Sequence, residues 1–98
     1  MIPNHPEPEQ IVLENVLFAL GNPLRLAIIR RLADGSELSC TALRPEEVVK
    51  STMTHHWRLL RDSGVIWHRP PGRENMISLR RAALDARYPG LPALLLHA

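Results

Sequence analysis

Residues 50–64 run Lys50-Ser51-Thr52-Met53-Thr54-His55-His56-Trp57-Arg58-Leu59-Leu60-Arg61-Asp62-Ser63-Gly64, and this stretch constrains the fold more than any other. Met53, Trp57, Leu60 and Gly64 fall at helical spacing, so one stripe faces inward and Gly64 ends the helix. Successive residues turn by about 100°. Ser51, His55, Arg58 and Asp62 therefore point away from the stripe, with Thr52 and Thr54 on its flanks. A DNA major groove admits one such helix, and reaching base edges and phosphates needs short hydrogen-bonding and basic groups on its outer face. The plain alternative for the same residues is a solvated surface.

The flanking segments fill in an order. Residues 9–20 read as a helix that Gly21 ends in the left-handed conformation. Only Glu14 and Asn15 are polar between Ile11 and Leu20. A helix apolar nearly all round needs cover on more than one side. A chain of 98 residues has little core to supply it, so a partner subunit is the expected cover. Asn22-Pro23 opens a second helix, Asn as cap and Pro where its missing N–H costs nothing. Leu24, Ala27, Ile28 and Leu32 share one face of it, with Arg25 and Arg30 elsewhere, and Asp34-Gly35 stops it. Residues 37–39 read as a short extended piece, 40–43 as a brief helical turn and 44–47 as a Pro-broken turn. Beyond residue 64, two β-prone runs, 65–69 and 75–79, are joined by the hairpin loop Pro70-Pro71-Gly72-Arg73-Glu74. Residues 80–87 form a further helix, broken at Pro89-Gly90, and residues 91–96 a last apolar turn or two. The pattern predicts a mainly α fold with a small β-hairpin wing (α+β), a winged helix-turn-helix. Residues 1–8 read as a flexible N-terminal arm, and residues 9–98 as a single DNA-binding and dimerisation domain.

Charge is unevenly spread. The net charge is +2, yet residues 50–81 hold seven basic residues (Lys50, Arg58, Arg61, Arg69, Arg73, Arg80, Arg81) against Asp62 and Glu74, a balance of +5. One face meant for a polyanion is the implication. Arg69 and Arg73 on the hairpin are placed for the sugar-phosphate backbone or the adjacent minor groove. A single Cys excludes an intramolecular disulfide and a Cys-based zinc cluster, which fits a reducing, cytoplasmic setting. The longest apolar runs are too short to span a bilayer, and the N-terminus lacks the basic region of a secretory signal.

At two stretches the chain resembles the ArsR-type winged-helix regulators, dimeric bacterial repressors. The first is Ala19-Leu20-Gly21-Asn22-Pro23-Leu24-Arg25-Leu26; the second is Ser51-Thr52-Met53-Thr54-His55-His56-Trp57-Arg58-Leu59-Leu60-Arg61-Asp62-Ser63-Gly64-Val65-Ile66. The resemblance spans roughly residues 16–84. It implies a symmetric dimer built from the first and last helices and repression relieved by an effector. It also implies residues 50–62 as recognition helix, residues 65–79 as wing, and double-stranded DNA with an inverted-repeat operator as partner. Many such regulators sense metals through a Cys-x-Cys pair near the position of Cys40 or through Asp/His ligands on the last helix. Here Cys40 is preceded by Leu38 and Ser39, and residues 82–98 offer Asp85 and a distant His97.

The expected DNA-binding set is Lys50, Ser51, Thr52, Thr54, His55, Arg58, Arg69 and Arg73, with no cofactor and no metal. His55-His56 is a poor metal pair, since zinc wants three or four ligands and helical neighbours diverge by about 100°. His55 is expected to face the groove and His56 to pack against the domain. Cys40 reads as a small buried hydrophobe rather than a redox sensor, and Trp57 and Trp67 as core packing. No phosphate loop, G-x-G-x-x-G or His-Glu-x-x-His supports an enzyme. A winged helix serving only as a protein-interaction module is the rival reading, which expects a neutral recognition face.

Overall fold

The computed structural model describes residues 5–69 and 75–97. Among them a 3-10 turn, Pro8–Gln10, precedes helices α1 (Leu13–Leu20), α2 (Pro23–Leu32), α3 (Cys40–Leu43), α4 (Lys50–Asp62), α5 (Arg81–Arg87) and α6 (Leu91–His97). Strands β1 (Glu37–Ser39), β2 (Ile66–Arg69) and β3 (Met76–Leu79) form an antiparallel sheet in the order β1-β3-β2. The extended piece at residues 37–39 is thus a third strand, whose Leu38 pairs with Ile77. The fold is mainly helical with a β2–β3 hairpin wing. No helix among the described residues is long and apolar enough to cross a membrane.

Alternation builds the sheet. Ile66 opposes Leu79 and His68 opposes Ile77, while Trp67 opposes Ser78 on the other face. Ile66, Ile77 and Leu79 enter a core shared with Val16, Ile28, Ile29, Leu32, Leu60 and Leu84. Trp67, expected in that core, is 45% exposed. The buried Ile66 fixes the inward parity of β2, so its neighbour must stand outside. Trp57 is buried on α4.

The sequence reading of one helix over residues 9–20 also needs correction. Ile11 and Val12 are extended, and α1 starts only at Leu13. The Ile11 carbonyl oxygen accepts from Arg87 Nη2 at 2.8 Å and from the Tyr88 hydroxyl at 3.2 Å. Those partners offer that carbonyl bonds outside the helical ladder, while the buried Ile11 side chain packs over Gly64. Gly21 ends α1 at φ −80° and not in the left-handed region, whereas Gly64 after α4 does adopt φ +87°.

In α2 the Asn22 side chain accepts from the Leu24 and Arg25 amides at 3.0 and 3.1 Å, as the Asn-Pro start predicts. Its buried face is rotated from the expected one: Arg25, Ile28, Ile29 and Leu32 are buried and Ala27 is exposed. Of the segment expected as an arm, residues 5–8 lie against the domain: His5 Nε2 accepts from the His68 amide at 2.8 Å, and the Pro6 carbonyl oxygen accepts from Arg80.

Candidate nucleic-acid interface

Helix α4 carries the interface. Met53, Trp57 and Leu60 are buried, and Lys50, Ser51, Thr52, Thr54, His55, Arg58 and Asp62 are all exposed. Burying three large apolar side chains contributes about 1.5–3 kcal/mol each, which fixes the rotation of the helix about its axis and so fixes what points outward. Thr54 donates its hydroxyl to the Lys50 carbonyl oxygen at 3.1 Å, leaving its oxygen as an acceptor.

The approach to α4 is stapled. Arg44 Nη1 donates to the Val48 carbonyl oxygen at 2.7 Å across the turn that leads from α3 into α4. Arg31 Nη1 donates to the Ala42 carbonyl oxygen at 2.9 Å, tying α2 to the end of α3.

A second tie reaches α4 from the other side. Arg25, 6% exposed, donates from Nε to the Ala19 carbonyl oxygen at 2.6 Å and from Nη2 to the Phe18 carbonyl oxygen at 3.3 Å. These are last-turn carbonyls of α1, and that of Phe18 also accepts from the Gly21 amide at 3.3 Å. Its Nη1 lies 3.0 Å from His56 Nδ1. A guanidinium only donates, so Nδ1 accepts and the His56 proton sits on Nε2. Burial, then Arg25, then His55 hold the His56 pKa below its usual value. Arg25 thus joins α1, α2 and α4. The signal available in sequence was its position three residues past a Pro-started helix cap, one tight turn from the end of the preceding helix.

Between α3, α4 and the hairpin lies a cleft of about 350 Å3 whose walls include Arg44, Lys50, Thr54, Arg58, Arg61 and His68. Among the described residues no carboxylate lines it. It brings Lys50, Thr54 and Arg58 together with Arg44 and Arg61, two cations absent from the sequence-derived set. Ser51, Thr52 and His55 project from the same helix outside it. Arg69 is exposed on β2, but Glu37 of β1 holds it at 2.7 and 3.2 Å, a bidentate pair across the sheet that raises the Arg69 pKa. Arg73 and the loop tip at residues 70–74 lie outside the described residues. Cys40 also borders the cleft; burial pushes its thiol up to about 11, so it is protonated and a poor nucleophile at neutral pH. Among the described residues no three His, Cys, Asp or Glu side chains converge on a metal position.

A short helix, a turn, an outward-polar helix and an antiparallel hairpin define a winged helix-turn-helix, a DNA-binding class. A family model described as a helix-turn-helix domain matches residues 20–69. The uncharacterized HTH-type transcriptional regulator YceK of Bacillus subtilis (strain 168) is 38% identical over 74 residues, covering 74% of this chain and 74% of that protein. The arsenical resistance operon repressor of Staphylococcus xylosus is 30% identical over 73 residues, covering 74% and 70% respectively. Among solved structures, an ArsR family transcriptional regulator matches with a TM-score of 0.67 at 27% identity, over 85% of this chain and 84% of that one. The transcriptional repressor BigR from Xylella fastidiosa matches with a TM-score of 0.59 at 25% identity, over 78% and 85%. The chain belongs to the ArsR-type family of winged helix-turn-helix regulators. That is a family of DNA-binding transcriptional regulators, not of enzymes.

Proposed function

We propose that the protein is a homodimeric cytoplasmic repressor that lays α4 of each protomer in a major groove of an inverted-repeat operator. Lys50, Ser51, Thr52, Thr54, His55 and Arg58 contact bases and phosphates, and Arg69 and Arg73 of the wing contact the backbone. The observation that carries this reading is the division of α4, with three apolar side chains buried and these six polar ones exposed. The basic cleft beside it, with no acid among the described residues of its walls, supports the same reading.

Dimerisation is supported by apolar surface that one chain leaves open: Leu13, Leu17 and Phe18 on α1 are 44%, 54% and 65% exposed, and Leu94 on α6 is 62% exposed. Residues 9–98 then act as one DNA-binding and dimerising unit, against which residues 5–8 pack. Repression is supported by two of the relatives being named repressors. The inducing signal in this reading is not a metal, because Cys40 stands without a Cys-x-Cys companion and residues 82–98 offer Asp85 and a distant His97 alone.

Selection of bound sequences from random duplex DNA, followed by footprinting, tests the reading. The expected product is a two-fold repeat with half-site centres about 34 Å apart or a multiple of that. Recovery of no enriched sequence, or of a single asymmetric half-site, contradicts it.

A further inference from the structure

On β2 and α5 the structure holds a second concave surface, apart from the outward face of α4. His5, Pro6 and Pro8 supply one wall, Trp67 of β2 another, and Ala82, Ala83 and Ala86 of α5 a third, around a volume of about 570 Å3. That volume suits a small organic molecule, and the three alanines leave room for a flat body against the exposed part of the Trp67 ring.

Arg80 lines this cleft and is 2% exposed. Its Nη1 donates to the Pro6 carbonyl oxygen at 2.7 Å, and its guanidinium carbon stands 3.9 Å from the Trp67 ring centroid. Nε is shut off from solvent and has no hydrogen-bond partner. Among the described residues no carboxylate lies within ion-pair distance of Arg80. Glu7, also on the cleft wall, favours the charged form only at longer range, and burial outweighs it to lower the Arg80 pKa. A buried charge is costly unless paired and hydrogen-bonded, and Arg80, with Nε unpartnered and no carboxylate in ion-pair distance, has capacity for a further acceptor. The guanidinium edge carrying Nε, which Pro6 leaves, is the one with donor capacity for a carboxylate.

We propose that the cleft between the N-terminal segment, β2 and α5 binds a small organic monocarboxylate with a flat apolar body. The carboxylate accepts from Arg80, and the body lies against Trp67 and the alanine face of α5. Arg80 answers one carboxylate, Glu7 on the same wall disfavours a second, and the Pro, Trp and Ala walls fit an apolar remainder.

Nuclear magnetic resonance of the two indole N–H groups in the full chain tests this, with indole-3-acetate as probe and the neutral indole-3-acetamide as control. Expected is a saturable one-site shift of the Trp67 signal by indole-3-acetate, with the buried Trp57 signal unmoved, and at least tenfold weaker binding of the amide. Arg80→Gln is expected to lose the same tenfold or more. Because a buried arginine bears on folding, Ala86→Glu, at an exposed helical position, provides a second variant and is expected to repel the probe. The proposal is overturned by no saturable Trp67 shift, by equal binding of the amide, or by unchanged affinity in folded Ala86→Glu. It is equally overturned if a second copy covers the cleft, seen as a Trp67 signal that follows protein concentration and ignores the probe. None of these readouts involves DNA, so their failure is separable from failure of the operator reading.

Discussion

His55 and His56 are adjacent on α4 and stand in different surroundings. His55 is exposed, and His56 accepts from a guanidinium that also holds the end of α1. Replacing His55 with Ala is expected to weaken specific DNA binding by about 1–3 kcal/mol, the usual worth of a good base contact, with little change in melting temperature. Replacing His56 with Ala is expected to act chiefly on stability, by about 1–2 kcal/mol. Operator titrations and melting curves on both variants check this. Protonation of His56 removes the acceptor, and its folded pKa is held below the usual value. Its contribution is therefore complete above the unfolded value of about 6.5. It is lost as pH falls through the lower folded value, because the unfolded chain takes the proton first. Melting curves between pH 8 and pH 5 are expected to fall more steeply for the wild type than for His56→Ala. Gly64 carries a different burden: at φ +87°, a Cβ there would stand 2.5 Å from Ile11 Cγ1. Gly64→Ala is expected to destabilise by about 1–3 kcal/mol through backbone strain and that contact, read by chemical denaturation.

At the scale of elements, helix α4 was legible in full because its cause is local: an apolar stripe at helical spacing and a glycine stop. The hairpin strands and the Asn-Pro start of α2 were legible for the same reason. What escaped has partners far along the chain. The late start of α1 depends on Arg87 and Tyr88 binding the Ile11 carbonyl. The outward position of Trp67 depends on the parity set by buried Ile66, and the burial of Arg25 on carbonyls of the preceding helix and on His56. The grip of Glu37 on Arg69 needs the pairing of β1 with β3, which places the two edge strands on either side of one partner. That grip holds back a cation the wing would otherwise offer to phosphate. Glu37→Gln is expected to strengthen DNA binding at low salt and steepen its salt dependence, by up to about one unit of log–log slope. An unchanged slope in the variant means Arg69 does not meet the backbone.

For the whole molecule, the apolar face on α1 and the exposed Leu94 leave more hydrophobic surface than one small chain can cover. Leu17→Glu places a charge on that face without touching the buried stripe of Val16, Ala19 and Leu20. Sedimentation at micromolar concentration is expected to show a dimer for the wild type and a folded monomer for Leu17→Glu, with operator affinity reduced at least tenfold. A wild-type monomer would remove the two-fold reading while leaving the α4 interface in place. That interface joins an outward polar helix to a cleft with several cations and, among the described residues, no acid in its walls, so binding should release counterions from the duplex. The direct test is operator affinity of the wild type and Arg58→Ala across a salt series. Specific binding with a log–log slope of several negative units, shallower by about one unit in Arg58→Ala, is the expected result. Affinity independent of salt, or no binding to any duplex, would contradict the account.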